Sequence, residues 1–381
     1  METRLFELRR EHGLTSDPPA DRRVCQSPFH ESPQMTSGPF GAGRRGLFLS
    51  AGLAALIHFA MPFTASRAQT VSRVEGMSFR AANIWGSSPS SLYAVGDVGG
   101  IAYYNGSTWT AQPVGGANRY SVFGTGTGTV YSAGQAGYQT GALYRSDNGG
   151  GWTQVFSADT ELAGLWAGTD GSVLVGGDGR FFFSENGSSF QEVATGIASG
   201  YQVNRFESIW GRSATDAYLG GWGGLFHWNG ATVTKVNLPT VSISRVHYSG
   251  TSWWAVGSNG EVFRGQGADW TQLDAGAPGA LWGLWAFSDT DVWVGGQYGA
   301  LRHFDGSSWT AYESGAPSGV WQLFAVDDET LFAGTFENPG AVLRVDIPRT
   351  AVPEPQAYVL VGIGLVPLLV RHARRRAVRT L

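Results

Sequence analysis

The chain has 381 residues, a formal net charge of −4, 15% charged residues, 13% aromatic residues and one cysteine. This length allows a sizeable core, the aromatic content excludes an intrinsically disordered chain, and the near-neutral charge excludes a polybasic nucleic-acid binder. A single cysteine excludes an internal disulfide, and no Cys/His cluster has metal-ligand spacing, so we expect neither a metal nor another cofactor.

The N-terminal part of the chain is predicted to be a targeting segment rather than part of the fold. Residues 1–34 fit no secretory pattern, and we expect them to be untranslated or removed. Residues 35–68 contain Arg44-Arg45, an apolar run over 47–63 and a small-x-small site, which is the order of a signal peptide. We predict a signal helix cleaved between Ala68 and Gln69. A permanent membrane anchor is the alternative, and the paired arginines leave both Sec and twin-arginine export open.

The last 31 residues, 351–381, contain three elements in a fixed order. Pro353-Glu354-Pro355 is followed by an apolar stretch over 357–370 and then by a basic cluster that includes Arg374, Arg375 and Arg376. The apolar stretch is short for a full membrane span of roughly 20 residues. The basic cluster would remain cytoplasmic, which places everything before it outside.

This order resembles the PEP-CTERM sorting signal of Gram-negative bacteria. The resemblance implies an exosortase-type protease as a partner and a short hydrophobic helix that anchors the protein transiently in the inner membrane, with the preceding domain in the periplasm. It also implies a final location on the outer surface or outside the cell, often beside exopolysaccharide. An ordinary stop-transfer tail is the alternative and gives the same orientation.

Residues 69–350 contain one motif seven times. Each copy starts with an apolar–aromatic pair, whose second members are Trp85, Phe123, Trp166, Trp210, His247, Trp285 and Phe324. A β-rich run that ends in glycine follows, then a third run, an Asn-Gly or Asp-Gly turn such as Asn105-Gly106, and a Trp-Thr strand such as Trp109-Thr110. The turn dipeptides predict tight type I′ hairpins, so each copy holds four short strands.

Four strands in a repeat of about 40 residues are typical of a β-propeller blade. We therefore predict an all-β, seven-bladed propeller with four-stranded blades, in addition to the N-terminal signal helix and the C-terminal hydrophobic helix. Most of the tryptophans are expected to pack between blades. The seventh repeat lacks a fourth strand, and the spacing of the other repeats predicts that Val71–Val74 supplies it and closes the ring.

Parts of the repeats resemble Asp-box and kelch propellers. Arg145–Trp152 is similar to an Asp-box, and Gly176-Gly177 is similar to the paired glycines of kelch repeats. Asp-box propellers include sialidases and other glycosidases, so a glycan hydrolase or lyase with a rim active site is the alternative function. Such an enzyme needs two convergent carboxylates. The acidic residues between first and second strands, such as Asp289 and Asp327, are interpreted instead as solvated turn residues, and no catalytic residue is assigned.

Two longer repeats suggest a binding surface. The insertions lie at 134–142 and 194–206, and loops on a propeller rim commonly bind ligands. The candidate rim residues are Tyr138, Gln139, Tyr201, Gln202, Asn204 and Arg205. His227 and His303 occupy equivalent positions and are interpreted as strand side chains, whereas His247 replaces an aromatic residue and is expected in the channel or core.

The sequence thus predicts a monomeric, exported, surface-sorted propeller that acts as a non-catalytic binding or scaffold module. Residues 69–355 hold 12 Arg and one Lys against 24 acidic residues, a net charge of −11, which disfavours nucleic acid as a partner. Extracellular polysaccharide or a surface protein is expected as the ligand. A third possibility is an assembly factor for another exported complex.

Overall fold

The computed structural model describes residues 70–347, apart from residues 116, 201–203, 241 and 338–339. The predicted signal peptide, its cleavage site and the sorting signal at 351–381 lie outside the described residues, as do Tyr201 and Gln202 of the predicted rim. Within the described part the only helical element is a single 3₁₀ turn at Gln297–Gly299. The described residues hold no helix that is long and apolar enough to cross a membrane.

In the described residues, twenty-eight strands form seven four-stranded antiparallel sheets. The strands of the first three blades and the first strand of the chain are β1 (Thr70–Val74), β2 (Ala81–Ser88), β3 (Ser91–Gly96), β4 (Ile101–Tyr104), β5 (Trp109–Ala111), β6 (Arg119–Gly124), β7 (Thr129–Gly137), β8 (Thr140–Asp147), β9 (Thr153–Ala158), β10 (Leu162–Ala167), β11 (Val173–Gly177), β12 (Phe181–Ser184) and β13 (Gln191–Val193). Those of the last four blades are β14 (Phe206–Ser213), β15 (Asp216–Gly221), β16 (Gly224–Trp228), β17 (Val233–Val236), β18 (Ile243–Tyr248), β19 (Trp253–Gly257), β20 (Glu261–Gln266), β21 (Asp269–Asp274), β22 (Leu281–Ser288), β23 (Asp291–Gly296), β24 (Leu301–Phe304), β25 (Trp309–Ala311), β26 (Val320–Ala325), β27 (Thr330–Thr335) and β28 (Val342–Asp346).

The sheets are the blades of a closed seven-bladed propeller. The first strands of consecutive blades contact one another around a ring, and β26 of the last blade contacts β2 of the first. The apolar clusters between neighbouring blades are built from alternate side chains of adjoining sheets, as in the cluster of Ile84, Leu92 and Phe332 that joins the seventh blade to the first. The predicted fold class is therefore confirmed for the described residues.

The first strand of the chain completes the last blade. β1 pairs with β28 in the order β1-β28-β27-β26, and Val71 lies opposite Val345 in this ladder. The edge of β28 is thereby covered by a strand from the other end of the domain, and β1 becomes the outer strand of the seventh blade. The prediction that Val71–Val74 closes the ring is confirmed.

The turns between third and fourth strands differ from the predicted type I′ hairpins. At Asn105-Gly106 only the glycine has a positive φ, of 93°. The Asn105 side-chain oxygen accepts hydrogen bonds from the backbone N–H groups of Ser107 and Thr108, at 3.0 and 2.9 Å. Equivalent bonds form at Asn229 and Asp305. The type I′ assignment is wrong because the Asx side chain itself caps a longer turn.

Candidate functional site

The propeller has two faces, distinguished by the ends of its inner strands. The entry face, where the first strand of each blade begins, carries the blade-to-blade loops and the loops between second and third strands. These second-to-third loops span 97–100, 138–139, 178–180, 222–223, 258–260, 297–300 and 336–341. The exit face, where the first strands end, carries the loops between first and second strands and those between third and fourth strands.

The exposed large apolar side chains of the described residues all lie in second-to-third loops of the entry face. They belong to five different blades and are Val98, Tyr138, Trp222, Tyr298 and Phe336. Val98, Tyr138 and Tyr298 are 88%, 81% and 73% exposed. Two of these tips, Val98 and Tyr298, have φ angles of 58° and 57°, and the neighbouring tip residue Gln139 has 52°. The left-handed region is unfavourable for side chains of this kind, above all for a β-branched valine.

An aromatic group adjoins these loops at the mouth of the channel. The rings of Trp282 and Trp321, from the inner strands of the sixth and seventh blades, are 4.9 Å apart. Phe336 stacks on Trp321 at 5.0 Å, and the guanidinium of Arg80 lies 4.8 Å from the centre of the Phe336 ring. Both tryptophans are half-buried, so one side of the mouth is aromatic and accessible.

The opposite side of the mouth is polar, and its side chains link the 134–142 insertion to the 194–206 insertion. The guanidinium of Arg205 lies 4.2 Å from the ring centre of Tyr120 and pairs with Glu161 at 3.1 Å. Glu161 also accepts a hydrogen bond from Gln135, at the base of the hairpin that carries Tyr138. Arg205 is only 7% exposed. The structure thus places Arg205 beneath the rim as a support.

The other predicted rim residues take different positions. The 134–142 insertion is an extension of the β7–β8 hairpin rather than a loop, and it places Tyr138 and Gln139 at an exposed tip. Asn204 is half-buried and donates a hydrogen bond of 3.0 Å to the carbonyl oxygen of Ala198, so its side chain supports the backbone rather than facing a ligand. Glu161 escaped sequence analysis because a lone glutamate in a loop carries no motif.

Polar groups line the channel between the two faces. A cavity of about 50 Å³ is bordered by Glu207, Arg245, His247 and Gln322 among others. Burial raises the pKa of Glu207, against the opposing effect of Arg205 and Arg245, and burial lowers the pKa of Arg245. Glu207 therefore holds a proton more readily than an exposed glutamate does.

His247 lies in the aromatic layer of the channel, as the sequence suggested. Its ring centre is 4.0 Å from that of Trp210 and 4.4 Å from that of Trp285. Neither imidazole nitrogen has a hydrogen-bond partner among the described residues. Burial lowers the pKa of His247 to about 3, so the ring is neutral at physiological pH.

The remaining histidine and aspartate candidates are held within or between blades. Nε2 of His227 is 2.9 Å from Asp216, and Nε2 of His303 is 2.9 Å from Asp291, so each pair joins two strands of one blade. Burial would raise the pKa of Asp289, but hydrogen bonds from neighbouring side chains lower it to about 2. These donors lie on the fifth blade and include Ser249, Ser252, Trp254 and Arg264. In the part of the chain that is described, no group of three His, Cys, Asp or Glu side chains could hold a metal ion.

Comparison with known proteins identifies the fold. No family model matches the sequence, and no curated protein matches it. Among solved structures, YCF48 bound to a D1 peptide is 14% identical with a TM-score of 0.58, covering 73% of this chain and 97% of that one. YCF48 from Cyanidioschyzon merolae is 15% identical with a TM-score of 0.56, over 73% and 99% of the two chains. The WD40 propeller domain of Doa1 is 11% identical with a TM-score of 0.60, over 75% and 99%.

Proposed function

We propose that this protein is an exported, surface-sorted binding module whose entry face docks another surface protein without catalysing a reaction. One observation carries the proposal: the exposed large apolar side chains of the described residues lie on that face, on five of seven blades. Tyrosine and tryptophan are enriched among the residues that dominate protein interfaces. Contacts spread over five blades suit a partner as wide as the propeller.

The backbone conformation at these loop tips supports a role in binding a partner protein. A valine at φ 58° costs on the order of 1 kcal/mol or more, yet the Val98 side chain is almost fully exposed and packs little. The fold gains nothing from this side chain that would offset its strain. Strained, exposed apolar residues are typical of binding surfaces.

The aromatic group at the mouth supplies a second element of an interface. Trp282 and Trp321 are accessible at the centre of the face, and the polar support around Arg205 and Glu161 lies opposite them. A partial apolar centre beside polar groups is the usual anatomy of a protein interface. The structural neighbour YCF48 was solved with a peptide bound, which is consistent with the use of this fold for protein recognition.

Export and sorting are proposed from the two ends of the sequence. Cleavage between Ala68 and Gln69 would leave β1 intact, because β1 begins at Thr70. The Pro353-Glu354-Pro355 motif begins seven residues beyond the end of β28 at Asp346, so cutting there would spare the last blade. Mass spectrometry of the mature protein should find Gln69 as the first residue and a C-terminus near Pro355. A mature chain that retains residues 35–68 or the basic tail would contradict this processing.

Site-specific photocrosslinking in the host tests the docking face. A photoreactive phenylalanine analogue placed at Tyr298 or at Trp222 should yield the same adduct with one exported protein. The matched control is the analogue at Ser307, in an exposed turn of the exit face, which should not yield that adduct. Equal adducts from all three positions, or none from positions 298 and 222, would contradict the proposed face.

A glycan hydrolase or lyase remains the second candidate, and Glu207 is the observation that favours it. A half-buried carboxyl group with a raised pKa at the mouth of a channel suits a general acid. The acidic residues of the exit-face loops do not serve this role as well, since Asp289 is held as an anion by its neighbours.

A further inference from the structure

The mouth of the channel on the exit face is a funnel with an aromatic floor. Its volume is about 570 Å³, within the range of small-molecule sites. The floor consists of the aromatic members of the repeated pairs in six blades, namely Trp85, Phe123, Trp166, Trp210, Trp285 and Phe324. The tryptophans of this floor line the channel and also pack against neighbouring blades, in agreement with the packing role predicted for most tryptophans.

The floor is continuous across the channel. The ring centre of Trp210 is 5.6 Å from that of Phe123 and 5.7 Å from that of Trp285, on opposite sides of it. Trp285 in turn meets Phe324 at 5.1 Å. A polymer chain therefore cannot thread the propeller at this level, and only the end or a side branch of a chain can reach the floor.

Small residues flank the aromatic rings of the floor. Gly86, Gly124 and Gly168 line its wall beside the floor. A Cβ at Gly124 would overlap the ring of Trp85, so this glycine lets that indole lie flat against the neighbouring blade. The wall thus holds the aromatic rings of the floor in a fixed orientation and leaves space for a ligand in the funnel.

The polar groups of the funnel are hydroxyls and charged side chains, and the charged side chains already have partners within the protein. Thr169 and Ser213 line its rim. Asp170 accepts hydrogen bonds from the backbone N–H and hydroxyl of Ser172, and these bonds lower its pKa. Arg212 pairs with Asp216. With its charges engaged, the funnel offers a ligand aromatic faces, hydroxyls and main-chain groups.

We propose that this funnel binds a neutral sugar unit at the end or branch of a glycan. The C–H face of a pyranose ring carries partial positive charge and stacks on the electron-rich face of an aromatic ring. Its hydroxyl edge can exchange hydrogen bonds with the rim. A purely apolar ligand would exclude water from the rim hydroxyls without replacing its hydrogen bonds, and an ionic one would have to compete with the partners that Asp170 and Arg212 already have. This site is separate from the entry face and does not depend on the protein-docking function.

Calorimetric titration of the purified protein with glucose, galactose, mannose, N-acetylglucosamine and their neutral disaccharides tests the proposal. At least one probe should bind saturably, with a dissociation constant on the order of millimolar, as expected for a small ligand on an open site. Trp85→Leu should weaken binding about tenfold or more. Trp282→Leu, the same change at the entry face, should leave it unaltered. Glucuronic acid should bind more weakly than glucose.

Several results would overturn the proposal. They are the absence of saturable binding for every neutral probe, tighter binding of glucuronic acid, and equal losses in the two tryptophan variants. If Trp85→Leu fails to fold, Phe123→Leu provides the second floor variant with the same expected loss. Photocrosslinking from the entry face does not require sugar in the funnel, so failure here leaves the docking proposal intact.

Discussion

The hydroxyl of Thr70 donates a hydrogen bond of 2.9 Å to Oδ2 of Asp346, which lies 276 residues later in the chain. This bond lies at one end of the ladder that joins β1 to β28. The first and last strands of the described domain are therefore neighbours, and the ring is closed by non-local pairing.

Deletion of residues 70–74 should lower the melting temperature by about 10 °C or more. Five ladder residues are lost, each contributing roughly 1 kcal/mol, and the edge of β28 becomes exposed. Thr70→Ala is the control, because it removes only the terminal side-chain bond and should change the melting temperature little. Differential scanning calorimetry measures both, and an unchanged melting temperature in the deletion would contradict ring closure by β1.

Gly221→Ala should destabilise the protein by about 3 kcal/mol. A Cβ at Gly221 would overlap the backbone carbonyl oxygen of Arg205, which directly precedes the inner strand of the same blade, and neither backbone segment can move aside. Gly151→Ala is the control, since nothing lies near a Cβ there. Urea denaturation measures the free energy of unfolding, which should change by no more than about 0.5 kcal/mol in the control. Equal changes in the two variants would show that Gly221 does not lie close to the Arg205 carbonyl.

Replacement of His247 should change the response of stability to acid. Because burial lowers its folded-state pKa to about 3, below its usual 6.5, the stability that neutral His247 contributes is present above pH 6.5 and is lost as the pH falls towards 3. Between pH 7 and pH 4 the wild type should therefore lose about 3 kcal/mol more than His247→Phe.

Two variants at position 247 separate charge from hydrogen bonding. His247→Phe removes both the titration and the unpaired nitrogens, so it should also raise the free energy of unfolding at pH 7 by about 1 kcal/mol. His247→Gln removes only the titration and should bring no such gain. Denaturant unfolding at pH 7 and pH 4 gives both quantities, and identical pH dependence in all three proteins would mean that His247 is not buried.

Val98→Asn should stabilise the protein and weaken docking at the same time. Asparagine tolerates the left-handed backbone at position 98, so the free energy of unfolding should rise by about 1 kcal/mol, while the apolar contact surface is lost. Val98→Ala is the control, because alanine also has a Cβ and is strained in the left-handed region. It should reduce the yield of the photocrosslinked adduct from the entry face with little gain in stability. A stabilised Val98→Asn protein with undiminished crosslinking would remove Val98 from the interface.

The sequence contains enough to predict the architecture because the fold repeats. The apolar–aromatic pair and the glycine after the second strand recur in all seven repeats, with His247 in one aromatic position, and the Asx turn recurs in four of them. The missing last strand follows from spacing alone. The geometry of the turns was harder to predict from the sequence, since Asn105 could either adopt a positive φ or cap the turn with its side chain. Only the structure shows that it caps.

The candidate sites could be predicted only in part. The entry-face tips Val98, Trp222 and Tyr298 share a position in the fold but no residue type, so no motif marks them. Arg205 is in the predicted region yet is buried, because Glu161 from another blade neutralises it. Contacts between blades depend on ring geometry and are not encoded in any local pattern.

The propeller is expected to bind its partners without catalysing a reaction. The most direct test is to incubate the purified protein with host exopolysaccharide and to assay for new reducing ends and unsaturated sugar products. We expect no products above those of a heat-denatured sample and no change with Glu207→Gln. Product formation that Glu207→Gln abolishes, in a protein of unchanged melting temperature, would show that the propeller is an enzyme.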